Sequence, residues 1–324
     1  MLEKSCIDIV LPSCNGAGFI RDQIHSIQDN GGYSELVRRL IVVDDASDDD
    51  TLDILLELAH ADPTLEIVSN SGPRRGVKAN VAFGLSLTIA PLVMLSDQDD
   101  IWKHDKLHKM LHAMLQALDA HGEYTPMLGF SNLEVVDAQL NLIDNSFWHY
   151  QTFSPEWVKS FRRLLCQNVA PGCSMIINRP LINKAQPFLS NSIMHDWWLI
   201  LAARQFGHIF YLEEALVRYR QHRNNQIGAQ RLRSVFREGL LNGVKRARHN
   251  VYMLSVQARS YHAAYGIKNL KSQDAATLLA LRDFCTMNVW SRLRLVFDGT
   301  LRKNTFIRNV LLIIVLCFPS PQKE

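Results

Sequence analysis

Short, almost wholly apolar runs alternate with amphipathic stretches over the first hundred residues. Ile7-Asp8-Ile9-Val10-Leu11, Leu40-Ile41-Val42-Val43, Leu65 to Ser69 and Pro91 to Leu95 read as strands. Between them, Phe19 to Asp29 carries Ile20, Ile24 and Ile27 at helical spacing, Thr51 to Ala61 carries Leu52, Leu55, Leu56 and Ala59, and Lys78 to Leu87 forms a third helical stretch. Strands that are apolar throughout belong to a parallel sheet covered on both faces, so the expected architecture is α/β with βαβ units. A long helix is expected over Lys103 to Ala120 and a strand over Met127 to Val136. Turn signals follow at Asn141 to Ser146 and Pro171-Gly172, and the chain then becomes mostly helical over Leu232 to Tyr265 and Ala275 to Phe297. The simplest division is a catalytic domain over 1–228 and a helical extension over 229–324.

With 47% hydrophobic and 21% charged residues in 324, the composition is that of a globular protein. A net charge of +3 excludes a general polyanion binder, and no nucleic-acid partner is expected. The basic residues are uneven all the same: nine Lys/Arg against the single acid Glu238 lie between Arg218 and Arg248, while the Asp clusters precede residue 101. Six cysteines without a C-x-x-C pair fit buried or idle thiols in a reducing compartment. No secretory signal is read at the amino terminus. The apolar run Val310 to Phe318 is far shorter than the roughly 20 residues a spanning helix requires. The expected location is therefore cytoplasmic.

The densest chemistry is Ser96-Asp97-Gln98-Asp99-Asp100-Ile101-Trp102, directly after an apolar strand. Three carboxylates at a buried strand end repel one another unless a cation binds them, and Mg²⁺ and Mn²⁺ prefer oxygen ligands shared with substrate phosphates. The competing reading is a solvated acidic turn capping a helix that begins near Trp102. The second strand ends in Asp44-Asp45-Ala46-Ser47-Asp48-Asp49-Asp50-Thr51, where capping accounts for Ser47 and Asp48 but not for Asp44 and Asp45. His104, His108 and His112 recur every four residues and read as an exposed helical face.

Four segments in order carry a resemblance: Leu11-Pro12 with Asn15; Val43-Asp44-Asp45-x-Ser47-x-Asp49-x-Thr51; Gly76-x-x-x-Asn80; and Ser96-Asp97-Gln98-Asp99-Asp100-Ile101-Trp102. Together they resemble the family 2 inverting glycosyltransferases of the GT-A fold, with a Rossmann-like, mostly parallel sheet flanked by helices. Pro171-Gly172-Cys173-Ser174-Met175, His195-Asp196-Trp197-Trp198 and Tyr219-Arg220-Gln221-His222-x-x-Asn225 extend the likeness to about residue 228. Their form is similar to a rhamnosyltransferase-like subset acting in bacterial surface polysaccharide synthesis.

The resemblance implies a donor that is a nucleoside-diphosphate sugar, dTDP-L-rhamnose as the leading guess, and a glycan acceptor, commonly lipid-linked. It implies a metal held by Asp99 with Asp97, which also approaches the ribose. Asp44 and Asp45 are assigned to base and ribose, their order open, and Asp196 to the general base. Trp197 and Trp198 would partly desolvate Asp196 and raise its pKa. The alternative is that Asp196 only caps a helix over Trp197 to Gln205. Pro12, Asn15, Lys78, Asn80, Gly172, Arg220 and His222 complete the expected binding set; Arg220, His222 and Arg223 either fold over the diphosphate or form a solvated basic loop, and Arg74 and Arg75 pose the same choice. Trp102 reads as packing. The basic stretches Arg231 to Arg248 and Arg292 to Arg308 suit an anionic membrane surface on the cytoplasmic face, or a homodimer interface. Competing functions are a nucleotidyltransferase, whose Gly-rich basic loop is absent, a catalytically silent nucleotide- or glycan-binding scaffold, and a hexosyl or galactofuranosyl transferase using a UDP-sugar.

Overall fold

The computed structural model describes residues 5–70, 72, 75–186, 192–222, 240–297 and 313. Two compact units divide the chain. One comprises Met1–Phe147, Ala170–Pro187 and Phe206–Gly228, the other Trp148–Val169, Phe188–Gln205 and Ala229–Glu324. The first unit's last segment closes at Gly228, and the second unit draws in two inner segments along with the carboxyl-terminal part.

Among the described residues a nine-stranded sheet organises the first unit: β1 (Ile7–Ser13), β2 (Val37–Asp44), β3 (Leu65–Ser69), β4 (Leu92–Leu95), β5 (Ile101–Trp102), β6 (Met127–Asp137), β7 (Leu142–Asp144), β8 (Met175–Asn178) and β9 (His208–Gln221). Its order is β3-β2-β1-β4-β8-β6-β9-β5, with β7 paired to β6. The β3-β2-β1-β4 half is parallel, as the apolar runs require, and every residue of β1 is buried. From β8 onward the sheet is mixed: β8 is antiparallel to β4 and β6, whereas β6 and β9 are parallel. Ile101–Trp102 pairs antiparallel with Val217 and Arg218 of β9, so Trp102 lies in a strand and the next helix begins only at Lys106. Leu142–Asp144 forms a strand where turn signals were read.

The three expected helices of the βαβ units are present as Ile20–Gln28, Thr51–Ala61 and Val77–Leu87. The last packs against β1 and β2. At Gly84 a Cβ would stand 2.5 Å from Val10 Cγ1 and 3.1 Å from Val43 Cγ2, so glycine is what lets this helix approach the sheet. Gly84→Ala is expected to destabilise the protein by about 1–2 kcal/mol, overpacking outweighing the gain of roughly 1 kcal/mol in helix propensity. The urea midpoint should fall with the slope unchanged; an unshifted midpoint would mean that β1 and β2 yield at no cost.

The second unit is helical where described. Trp198, fully buried, packs edge-on to Tyr261 at 5.1 Å and against Tyr265 at 5.6 Å, and its Nε1–H donates to Tyr265 Oη at 3.1 Å. The expected helices near the carboxyl end appear as Leu240–Tyr265, Ser272–Asp283 and Val289–Phe297. Arg292, read as part of a basic surface stretch, is instead buried, with its guanidinium donating to the carbonyls of Phe284 and Cys285. Most of Arg231 to Leu240 and all of Val310 to Phe318 except Ile313 lie outside the described residues. Among the described residues no helix is long and apolar enough to cross a membrane.

Candidate active site

Because β1, β2 and β4 are parallel neighbours, their carboxyl ends share one edge of the sheet. Ser13 lies opposite Asp44, and Val10 opposite Leu95. Strand order turns at β1, with β2 on one side and β4 on the other, the place where open α/β sheets bind ligands. Asp44, Asp45 and the Asp97–Asp100 cluster therefore meet at one edge although they are far apart in sequence.

The loops after β1 and β2 latch onto each other. Asn15, at φ 49°, donates its N–H to Ser47 Oγ at 2.9 Å, and its Oδ1 accepts from Asp48 N at 2.9 Å. Gly16 N donates to Thr51 Oγ1 at 2.8 Å, and Ala17 N to Asp49 Oδ2 at 3.1 Å. Ser47 and Asp48, expected as helix caps, serve this latch instead. The amide of Thr51 is met by Asp49 Oδ1 at 3.0 Å, and Ser47 donates to Asp44. Asp44 is thus buried and held by its own loop, while Asp45 is held by the third: its Oδ2 accepts from Gly76 N at 2.6 Å and Oδ1 lies 3.3 Å from Arg75. Arg74 lies outside the described residues.

Pro12 stands inside β1. Asn80 is buried, accepting from Asn70 Nδ2 at 2.7 Å and donating to the Val43 carbonyl at 3.4 Å, so it braces the end of β2. Lys78 is half-buried on the same helix. Gln98, which sequence reading passed over, ties the acidic turn to the first loop. Its Oε1 accepts from Ser13 Oγ at 3.1 Å and Cys14 N at 2.9 Å, while Nε2 donates to the Cys14 carbonyl at 3.0 Å.

The acidic turn is neither solvated nor a helix cap. Asp100 is fully buried; its Oδ1 accepts the Arg220 N–H at 3.0 Å, its Oδ2 has no hydrogen-bond partner among the described residues, and the Cys173 thiol lies beside the carboxyl group. Burial, followed by the charges of Asp99 and Asp97, pushes its pKa well up. Ligand atoms of Asp97, Asp100 and Cys173 lie within 4.8 Å of one another. The Cys173 thiol, its pKa raised by burial, is too soft and too firmly protonated to suit Mg²⁺ or Mn²⁺. The hard donors are the carboxylates. His222 Nε2 lies 2.7 Å from Asp99 Oδ2, adding a nitrogen ligand beside the carboxylate that faces it. Carboxylates and an imidazole gathered at a strand edge fit a divalent cation.

Arg220 is no part of a solvated loop. It is a buried side chain near the end of β9, donating to the Ala138 carbonyl at 3.0 Å and lying over the Phe19 ring at 4.9 Å. Arg223 and Asn225 lie outside the described residues. Gly172 is buried in the turn Gly172–Ser174 that leads into β8. Beneath this turn lies Lys106, which sequence reading did not single out. It is fully buried, donates to the Cys173 carbonyl at 2.7 Å and stands 3.4 Å from the centre of the Trp102 ring. Trp102 packs, as expected. His104, His108 and His112 are exposed, and His104 precedes the helix.

Burial pushes the Lys106 ammonium down to about 7. Above that pH the folded protein holds the residue neutral, while the unfolded chain keeps its proton to about 10.4. The unfolded state then binds more protons, so this residue makes stability rise with pH between those values. Lys106→Met should remove that contribution, read as a smaller difference between urea midpoints at pH 7 and pH 9 than in the parent. Equal differences would contradict a titrating Lys106.

In the second unit, Asp196 is buried at the start of the helix His195–Phe206, and its Oδ1 accepts the N–H of Trp197 at 2.6 Å. Trp197 donates its indole N–H to the Leu164 carbonyl, and Trp198 is core.

Residues 8–126 match the family described as Glycosyl transferase family 2. The dTDP-rhamnosyl transferase RfbG of Shigella flexneri is 25% identical over 227 residues, covering 66% of this chain and 72% of that protein. The putative teichuronic acid biosynthesis glycosyltransferase TuaG of Bacillus subtilis is 35% identical over 116 residues, covering 35% of this chain and 43% of its own length. Among solved structures, S. aureus TarS in complex with UDP-GlcNAc superposes with a TM-score of 0.54 at 12% identity, over 96% of this chain and 90% of that one. The mannosyltransferase PcManGT of Pyrobaculum calidifontis, with GDP-Man and Mn²⁺, also gives 0.54, at 15% identity over 97% and 86%. These two likenesses bear on the fold, which is that of the GT-A glycosyltransferases.

Proposed function

Since the chain belongs to glycosyl transferase family 2 and is a glycosyltransferase, we propose that it moves a sugar, L-rhamnose from dTDP-L-rhamnose, to a hydroxyl of a glycan in cell-surface polysaccharide synthesis, inverting the anomeric centre. The observation that carries the reading is the sheet edge where Asp44, Asp45, Asp97, Asp99 and His222 converge, with His222 and Asp99 in contact at 2.7 Å. RfbG's activity supports the choice of donor.

Asp44 and Asp45 hold the base and ribose, with Pro12, Asn15 and Lys78 lining the same edge and Asn80 bracing β2. Asp99 and Asp97 hold Mg²⁺ or Mn²⁺, with His222 beside Asp99. When bound, the cation supplies positive charge where the diphosphate departs. Asp100 and Arg220 fix the acidic turn against the end of β9, and Gly172 keeps the neighbouring turn tight. Asp196 removes the proton of the acceptor hydroxyl as that oxygen attacks the anomeric carbon from the face opposite the leaving group. Trp197 and Trp198 hold the start of its helix. Trp290, Arg294 and Phe297 occupy positions i, i+4 and i+7 of an exposed helix face. This pattern of aromatic and basic residues supports peripheral attachment to an anionic membrane surface, beside a lipid-linked acceptor.

A transfer assay tests the reading. The full chain, Mn²⁺ and lipid-linked glycan extract are incubated with dTDP-L-rhamnose, UDP-sugars and GDP-sugars in turn, and the product linkage is read by NMR. Rhamnose transfer with inverted configuration is expected. Transfer only from a UDP-sugar would replace the donor, and transfer with retention would remove Asp196 from the base role.

A further inference from the structure

His222 follows β9, while Asp99 follows β4, and the two are 123 residues apart in sequence. Something must hold the imidazole where it meets the carboxylate. Its ring stacks on Phe19, with centroids 4.5 Å apart and planes 21° from parallel. The Arg220 guanidinium lies over that same ring at 4.9 Å. Phe19 thus bears the two side chains that flank Gln221. It stands at the N-cap of Ile20–Gln28, and its own N–H donates to the Gly16 carbonyl at 2.9 Å, so it is rigidly joined to the loop after β1.

We propose that Phe19 is a positioning residue of the donor site: its ring is the shelf that fixes His222 beside Asp99 and couples the end of β9 to the loop after β1. The inference rests on the reading that His222 belongs to the donor site. Phe19 is half-buried and its ring makes no hydrogen bond, so its contribution is geometric. Aromatic stacking and cation–π contact set both the height and the tilt of the groups above it. Partners that orient a ligand side chain typically change metal affinity 10–100-fold when removed.

Mn²⁺ binding to the full chain in the presence of dTDP, read from the free-ion EPR signal, separates the outcomes. Phe19→Leu should weaken binding about tenfold, and Phe19→Tyr, which keeps the ring, should restore it. Thermal melts without ligand show that each variant folds. His222→Ala should weaken binding as well, and adding Phe19→Leu to it should cost nothing further, because the shelf then has no imidazole to hold. If His222→Ala binds Mn²⁺ as tightly as the parent, the reading of His222 falls and this inference with it. If His222→Ala is weakened while Phe19→Leu is not, or if the two losses simply multiply, Phe19 does not act through His222 and the inference alone is overturned.

Discussion

Asp196→Asn lowers the rate of sugar transfer by about 10²–10⁴-fold, the range a general base contributes, and leaves nucleotide affinity unchanged. The substitution is informative because of a contact Asp196 makes with its neighbour. Its Oδ1 accepts the Trp197 N–H, a role that the amide oxygen of asparagine reproduces. The start of the helix His195–Phe206 is therefore preserved, and what is removed is the capacity to take a proton. Asp196→Ala removes both, and adds a stability loss of about 1 kcal/mol from the lost hydrogen bond to the Trp197 N–H. Pre-steady-state transfer rates measured beside dTDP affinity distinguish the roles. Full turnover in Asp196→Asn would leave the residue only its structural contact, and the base would have to be sought elsewhere.

Asp99→Asn raises the Mn²⁺ concentration for half-maximal transfer by more than the 10–100-fold that loss of a supporting partner costs, because here a charged ligand itself is neutralised. The amide still reaches His222, so the acidic turn keeps its shape while its charge falls. Asp97 and Asp100 remain, but Asp100 is enclosed and its pKa is pushed well up by burial, which leaves it a poor substitute. The Mn²⁺ dependence of the transfer rate, compared between parent and variant, is the measurement. An unchanged half-saturating concentration would remove Asp99 from the metal site.

The parallel half of the sheet was legible in the sequence because β1, β2, β3 and β4 are short, mostly apolar runs that alternate with amphipathic helical stretches. The Asp clusters could likewise be placed at strand ends. Neither the antiparallel β8 nor the two-residue β5 carries such a signal: pairing Ile101–Trp102 with β9 is a contact between segments more than a hundred residues apart. The same distance hid the partners of the acidic turn. Local spacing made Ser47 and Asp48 look like caps, but the left-handed backbone at Asn15 and Ala46 turns their loop toward the one after β1, where they find other partners. In sequence Arg220 reads as a diphosphate clamp or part of a solvated loop because it lies in a basic segment, yet Asp100 holds its N–H and Phe19 lies under its guanidinium. Lys106 carried no signal in the sequence; only the fold sets a carbonyl and an indole around it. The roles of Asp196 and Asp99 came from resemblance, since no periodicity distinguishes a base or a metal ligand from a cap.

The central claim is that the carboxyl edge of β1, β2 and β4 binds a nucleoside diphosphate together with a divalent cation. Calorimetric titration of the full chain with dTDP, UDP and GDP, each with and without Mn²⁺, tests it directly. The account predicts saturable binding of dTDP that strengthens at least tenfold with Mn²⁺, a gain of about 1.4 kcal/mol, and that loses the gain in Asp99→Asn. Absence of binding for all three nucleotides with the metal present would contradict it, and would favour a silent scaffold on a glycosyltransferase fold.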